Sequence, residues 1–158
     1  MSIRIFAWPL LLFCLFACKQ ENGLNPPVPY FVAIIVEDLD TSLDWYTDKL
    51  GFEIIDQQAT PTMGLRQANL QLDNALLELI EWEAALSLEE VVADSLRNAP
   101  STGIFKIGFQ ITAFDQWVEQ LQNQGVRFRG EVINNPQSGK RMLIILDPDG
   151  NRIQLFER

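Results

Sequence analysis

Residues 36–52 read VEDLDTSLDWYTDKLGF. Leu39, Leu43, Tyr46 and Leu50 recur at spacings of four, three and four, which puts them on one face of a helix and leaves the charged residues on the other. Asp40, Thr41 and Ser42 offer N-cap side chains, and Gly51 stops the helix. Just upstream, residues 31–36 (FVAIIV) are apolar and β-branched, the composition of a strand. Downstream, residues 52–56, 62–72 and 75–82 read as three more strands. The last two are joined by Asp73 and Asn74, which tolerate the positive φ of a tight hairpin. The unit is βαβββ.

The second half repeats it. Residues 104–112 form a strand pattern, Thr112 and Asp115 make a capping-box-like start, and Phe114, Trp117, Val118 and Leu121 form a helical stripe ending near Gly125. Residues 127–132, 142–146 and 152–156 supply the remaining strands, separated by the polar loop 134–140 and the turn Asp147-Pro148-Asp149-Gly150. Between the halves, Leu88, Val91, Val92 and Leu96 recur at helical spacing with acidic residues opposite, predicting a connecting amphipathic helix over residues 87–98. Two copies of one supersecondary unit define an α+β fold.

Residues 36–52, together with DPDGNRIQL at 147–155, resemble the glyoxalase, bleomycin-resistance and dioxygenase superfamily, also called vicinal oxygen chelate. The resemblance runs from about residue 30 to residue 158 and implies two βαβββ modules whose sheets form a cupped half-barrel with helices outside. The division that follows is residues 30–84 for the first module, 85–102 for the connection and 103–158 for the second module. Relatives commonly pair into homodimers, which the resemblance makes an open expectation here.

The first segment stands apart from this domain. Residues 1–17 carry Arg4, then a nearly unbroken apolar run and a small residue, Ala17, before Cys18. That is the layout of a signal peptide and is too short for a spanning helix of about 20 residues. Leu15-Phe16-Ala17-Cys18 resembles the lipobox of bacterial lipoproteins, which implies cleavage before Cys18 and acylation of its thiol. Residues 18–29 are polar and Pro-rich, as in an extended tether. Lys19, not Asp, follows the cysteine, which in such lipoproteins goes with the outer membrane. The expectation is a cell-envelope protein held to the lipid membrane through Cys18. Cys14 falls in the removed segment, so the mature chain has no thiol to form a disulfide.

Composition excludes several chemistries. Twelve Lys and Arg against 21 Asp and Glu give a net charge of −9, which repels phosphate backbones and argues against a nucleic-acid partner. No histidine is present, so the commonest metal ligand and every Ser-His or Cys-His nucleophile pair are missing. No Gly-rich phosphate loop precedes a helix, and the acidic stretch around Glu81, Glu83, Glu89 and Glu90 lacks the spacing of a calcium loop.

Strand alternation sorts each strand into two rows. Val32, Ile34, Val36, Leu77, Leu79, Ile107, Phe109, Ile111, Ile153 and Leu155 are expected beneath the helices. Phe31, Ala33, Ile35, Leu76, Glu78, Ile80, Trp82, Lys106, Gly108, Gln110, Arg152, Gln154 and Phe156 are expected in the cup. The resemblance assigns the metal-ligand positions of metal-dependent relatives to Phe31, Glu78, Lys106 and Gln154. Only Glu78 is a strong hard-metal ligand, so no bound metal and no cofactor are expected. Glu78 and Lys106 are instead expected to meet as a salt bridge.

The function that follows is binding of a small, partly apolar molecule without turnover. Its contacts are Phe31, Leu76, Glu78, Ile80, Trp82, Lys106, Gln110 and Gln154. Two alternatives stand beside it. One is a lyase or isomerase of the superfamily with Glu78 as catalytic base; the other is a structural or protein-interaction scaffold whose cup is filled.

Overall fold

Helix α1, Leu39–Leu50, follows strand β1, Phe31–Val36, and buries Leu39, Ser42, Leu43, Tyr46 and Leu50 along the predicted stripe. The computed structural model describes residues 27–92 and 102–158. Cys18, the signal segment, most of the tether and the second half of the predicted connecting helix lie outside the described residues. Strands β2 (Glu53–Thr60), β3 (Leu65–Leu72) and β4 (Ala75–Trp82) complete the first module in the order β1-β4-β3-β2, with β1 parallel to β4. After one helical turn, α2 (Leu88–Val91), the second module runs through β5 (Ile107–Ile111), helix α3 (Phe114–Asn123), β6 (Arg127–Phe128), β7 (Ile133–Asn134), β8 (Arg141–Leu146) and β9 (Arg152–Glu157). Its order is β5-β9-β8-β6, β5 parallel to β9 and β7 paired to β8. This is the α+β arrangement of two βαβββ modules expected from the sequence.

Alternation predicted the buried rows. Val36, Leu77, Leu79, Ile111, Ile153 and Leu155 are buried, and Val32, Ile34, Ile107 and Phe109 pack against them. Each fully buried Leu or Ile contributes about 1.5–3 kcal/mol. The opposite row of β1, Phe31, Ala33 and Ile35, is exposed.

Four local expectations are corrected. The cap of α1 is Asp38, upstream of the predicted group; its carboxylate accepts the Thr41 N–H at 2.6 Å, which holds the carboxyl below the usual range. Helix α3 has Ala113, not Thr112, at its cap, at φ 53° and without a side-chain bond, because a methyl side chain has no acceptor; Asp115 pairs with Arg141. The strand predicted over residues 62–72 begins at Leu65, since Pro61 opens a short 3-10 turn, Pro61–Met63, and β2 extends to Thr60. The strand predicted over residues 127–132 is only two residues long, Arg127–Phe128, and the chain meets β8 again at Ile133 and Asn134. Gly51 closes α1 at φ 77°, a left-handed conformation that strains a residue with a Cβ.

A buried polar contact ties the modules. Asp147, 1% exposed in the β8–β9 turn, accepts the Tyr46 hydroxyl from α1 at 2.9 Å. It also accepts the Asn151 N–H at 2.7 Å and the Asn151 side-chain amide at 2.9 Å. Burial, then the Asp147 carboxylate, pushes the Tyr46 hydroxyl far up, so it stays a donor. The Phe52 and Phe109 rings meet edge to face with centroids 5.8 Å apart beside the same seam.

A second device appears twice. Arg66 on β3 donates to Asp40 in the first turn of α1 at 2.8 Å and to Glu81, its cross-strand partner on β4, at 3.1 Å. Arg141 on β8 pairs Asp115 in the first turn of α3 and Glu157 on β9, the latter at 2.7 Å. Glu81 also accepts the Leu39 N–H, and Glu157 the Arg141 N–H. Each clip fastens a helix N-terminus to its own sheet.

Tyr46→Phe, which keeps the ring but removes the donor from a buried carboxylate, is expected to lose about 1–3 kcal/mol in urea unfolding. The Arg141 contacts pull the Glu157 carboxyl from 4.5 to about 2. This contribution is therefore complete above pH 4.5 and fades as pH falls toward 2. Glu157→Gln is expected to be less stable than the parent at neutral pH, with the gap closing across that window. A gap independent of pH would refute the pairing.

Candidate functional site

Between the C-terminal ends of β1 and β4 and the β8–β9 turn lies a groove of 930 Å³. Its apolar wall is Ile35, Trp82 and Leu86, which are 52%, 42% and 69% exposed. Trp82 is held there as the last residue of β4, paired across to Leu65, and Ile35 by the β1–β4 register. The far wall is the second module's Asp149 and Asn151, set by the buried Asp147 and by Gly150 at φ 85°.

Carboxylates rim this groove. Glu81 is occupied by Arg66 and by the Leu39 N–H. Asp149 accepts the Glu37 N–H at 3.3 Å and pairs with no cation among the described residues. Burial pushes its carboxyl up, the Glu37 N–H works against that, and Asp147, Glu37 and Asp38 reinforce it. The sequence reading passed over Glu37 and Asp149 as sites. Their signal was positional: one follows β1 and the other sits in the β8–β9 turn, elements far apart in the chain that the fold brings together.

A second cleft, of 620 Å³, lies between the β3–β4 turn and the second module's first strand. It is lined by Leu50, Leu72, Asp73, Asn74, Phe109, Gln110 and Trp117 among others. The two clefts share one feature of the internal repeat, the end of one module's first strand facing the other module's hairpin turn; the large groove adds the end of β4, whose counterpart in the second module, Glu157 with Arg158, lines a separate pocket.

The sequence-predicted site residues fall in different places. Trp82 lines the large groove and Gln110 the smaller cleft; Phe31, Leu76, Glu78, Ile80, Lys106 and Gln154 line neither. Ala33 pairs with Glu78 and Gly108 with Gln154, and Phe31 and Lys106 each stand two residues earlier, so the four positions singled out by the resemblance are equivalent by repeat. Gln154 is buried; its amide nitrogen donates to Met142 Sδ at 2.9 Å, and its Oε1 has no partner among the described residues. As a donor set these four do not fit a divalent ion: a phenyl ring, an ammonium and an amide turned toward sulfur accompany one carboxylate.

The expected salt bridge between Glu78 and Lys106 is not formed. Lys106 precedes β5, is exposed, and lies 6.0 Å from the Phe105 ring centroid; Glu78 enters none of the ion pairs among the described residues. Both groups keep contact with water, which removes the drive to pair. Lys106→Met is expected to shift unfolding free energy by no more than about 0.5 kcal/mol. A fall of several degrees in melting temperature would restore the buried pair.

Comparison with known proteins agrees with this architecture. The chain is 24% identical over 130 residues to the uncharacterized protein YwkD of Bacillus subtilis, covering 82% of this chain and 95% of that protein. A glyoxalase family protein from Enterococcus faecalis superposes with a TM-score of 0.70 at 22% identity, covering 82% of this chain and 97% of that one. The trypanothione-dependent glyoxalase I of Leishmania major superposes with a TM-score of 0.64 at 21% identity, covering 84% and 87%. The family model for the glyoxalase/bleomycin resistance protein/dioxygenase superfamily matches residues 30–155, and the chain belongs to that superfamily.

Proposed function

We propose that this chain is a metal-independent binding protein of the bacterial cell envelope, anchored through an acylated Cys18, that holds a small, partly apolar molecule beside Trp82 without turning it over. The groove of 930 Å³ carries the reading. Its volume falls among those of small-molecule sites, about 300–1,000 Å³, and it keeps a Trp and an Ile half in water that a ligand would cover. The four positions where metal-dependent relatives hold their ion support metal independence by their chemistry. Glu78, the base of the lyase alternative, stands outside this groove. The scaffold alternative needs a filled cup, whereas Phe31 and Ile35 are each 52% exposed.

The test is a screen of small aromatic and amphiphilic compounds by tryptophan fluorescence and thermal shift, on protein whose metal content is measured by elemental analysis. A ligand at a hundredfold excess over its Kd is expected to stabilise the fold by about 2.7 kcal/mol, an effect lost in Trp82→Ala. A stoichiometric divalent ion, or metal-stimulated turnover of dicarbonyl–thiol adducts or catechols, would overturn the proposal.

A further inference from the structure

We infer that the domain lies against an anionic phospholipid surface by one flank, the edge of the second module that carries Arg127, Arg129 and Lys140 beside Val132 and Ile133. This inference rests on the anchoring through Cys18 proposed above and adds the face that meets the bilayer.

Charge is divided unequally between the modules. Residues 30–84 hold Lys49 and Arg66 against eleven acidic residues, whereas residues 103–158 hold seven basic residues against six acidic ones. The contrast is local as well. Residues 44–56, on α1 and the outer strand β2, carry Asp44, Asp48, Glu53 and Asp56, all exposed, against Lys49. Residues 127–141, on β6, β7 and the hairpin into β8, carry Arg127, Arg129, Lys140 and Arg141 against Glu131. Arg141 is taken by Asp115 and Glu157. Arg127 donates to two carbonyl oxygens, which leave its charge uncompensated, and Arg129 and Lys140 enter no ion pair among the described residues. Between these cations β6 and β7 hold only two residues each, and Val132 and Ile133 are 39% and 55% exposed. Apolar side chains in water among basic ones are the composition of a surface that settles at anionic headgroups.

The tether brings the domain to a membrane and leaves its orientation open. Val28 lies ten residues after Cys18, at most about 36 Å of fully extended chain. The chain enters the sheet at Phe31, which pairs with Leu76, and the adjacent Ala75 shares the smaller cleft with Gly108 and Thr112 of the second module. Entry is thus at the junction of the modules, and either one can turn toward the bilayer. Charge selects between them. Three strand spacings separate β2 from β1 and three separate β6 from β5, about 29 Å in all, whereas charges are screened beyond about 10 Å at 0.1 M salt. Only the flank turned down therefore feels the surface, and the chain's overall charge of −9 does not decide. With α1 and β2 down, a net of three carboxylates meets the lipid phosphates, which disfavours that orientation on the order of thirtyfold. With β6 and β7 down, Arg127, Arg129 and Lys140 meet them. The groove beside Trp82 opens at the end of β1 away from the tether.

The experiment uses the acylated full chain in vesicles of phosphatidylcholine, alone or mixed with phosphatidylglycerol. The mature chain offers no free thiol, so Gln137→Cys in the β7–β8 hairpin and Gln58→Cys on β2 each give one site for a fluorescent donor, read by energy transfer to an acceptor lipid. Transfer is expected to be stronger from position 137 than from position 58 in the mixed vesicles, and the difference to shrink without phosphatidylglycerol or at about 1 M salt. Arg129→Gln with Lys140→Gln should reduce transfer from position 137. Asp44→Asn, Asp48→Asn and Glu53→Gln together should raise it from position 58, with melting temperatures unchanged in both sets. Equal transfer from the two positions, stronger transfer from position 58, or a difference indifferent to lipid charge and salt would overturn the inference and leave the anchor standing. Failure of the chain to float with either kind of vesicle would remove the anchor and the inference together.

Discussion

A single carboxylate, sealed from water, fixes how the first module's helix meets the second module's β8–β9 turn. Asp147 takes three hydrogen bonds at once, one from Tyr46 of the first module and two from Asn151 of its own turn. A buried charge is tolerated only when its acceptor sites are satisfied, so the turn and the helix must arrive together. Arg127 adds a clamp from β6 by donating to the carbonyl oxygens of Asp147 and Pro148 at 2.8 and 3.0 Å. The position of Asp149 at the groove follows directly, because it is the next polar side chain of the turn that Asp147 anchors.

The strength of the repeat lies in using one solution for the same local problem. Each helix must be pinned to its sheet at its N-terminal turn, and each module does so with an arginine that bridges an acidic first-turn residue to a glutamate across the ladder. Both clips are open to solvent, and their pairs act as registers for the helix more than as reservoirs of stability. The deep energy is in the apolar rows beneath the helices.

Those rows are what the sequence makes legible. A period of two along β1, β4, β5 and β9 and a period near 3.6 along α1 and α3 each report burial directly, which is why Leu77, Leu79, Ile153 and Leu155 could be assigned inward from their spacing alone. Contacts between distant side chains leave no such periodic trace. The periodicity that marks α1 does not single out Asp38 as its cap, and the Arg66 and Arg141 clips join residues 15 to 26 positions apart that no period connects. At the site, alternation sorts Trp82 and Gln110 onto the same row, but a row does not say where along a strand a cavity opens. They lie at the ends of different strands and line different clefts. The Glu78–Lys106 pair is absent for a related reason: equivalence by repeat does not bring two side chains together when one of them, Lys106, lies in water.

Duplication of a module creates two clefts whether or not two are needed, and the physics of burial constrains them unequally. The floor residues of both serve the core and are held by packing: Leu50, Phe109 and Leu155 at the smaller cleft, Val36 at the larger. The rim residues of the larger groove also serve the fold: Glu81 holds Arg66 and the Leu39 N–H, Asp149 accepts the Glu37 N–H, and Glu90 accepts the Ser87 N–H. Five carboxylates around one groove of an already acidic chain raise the electrostatic energy of the folded state, and Arg66 offsets only one of them directly.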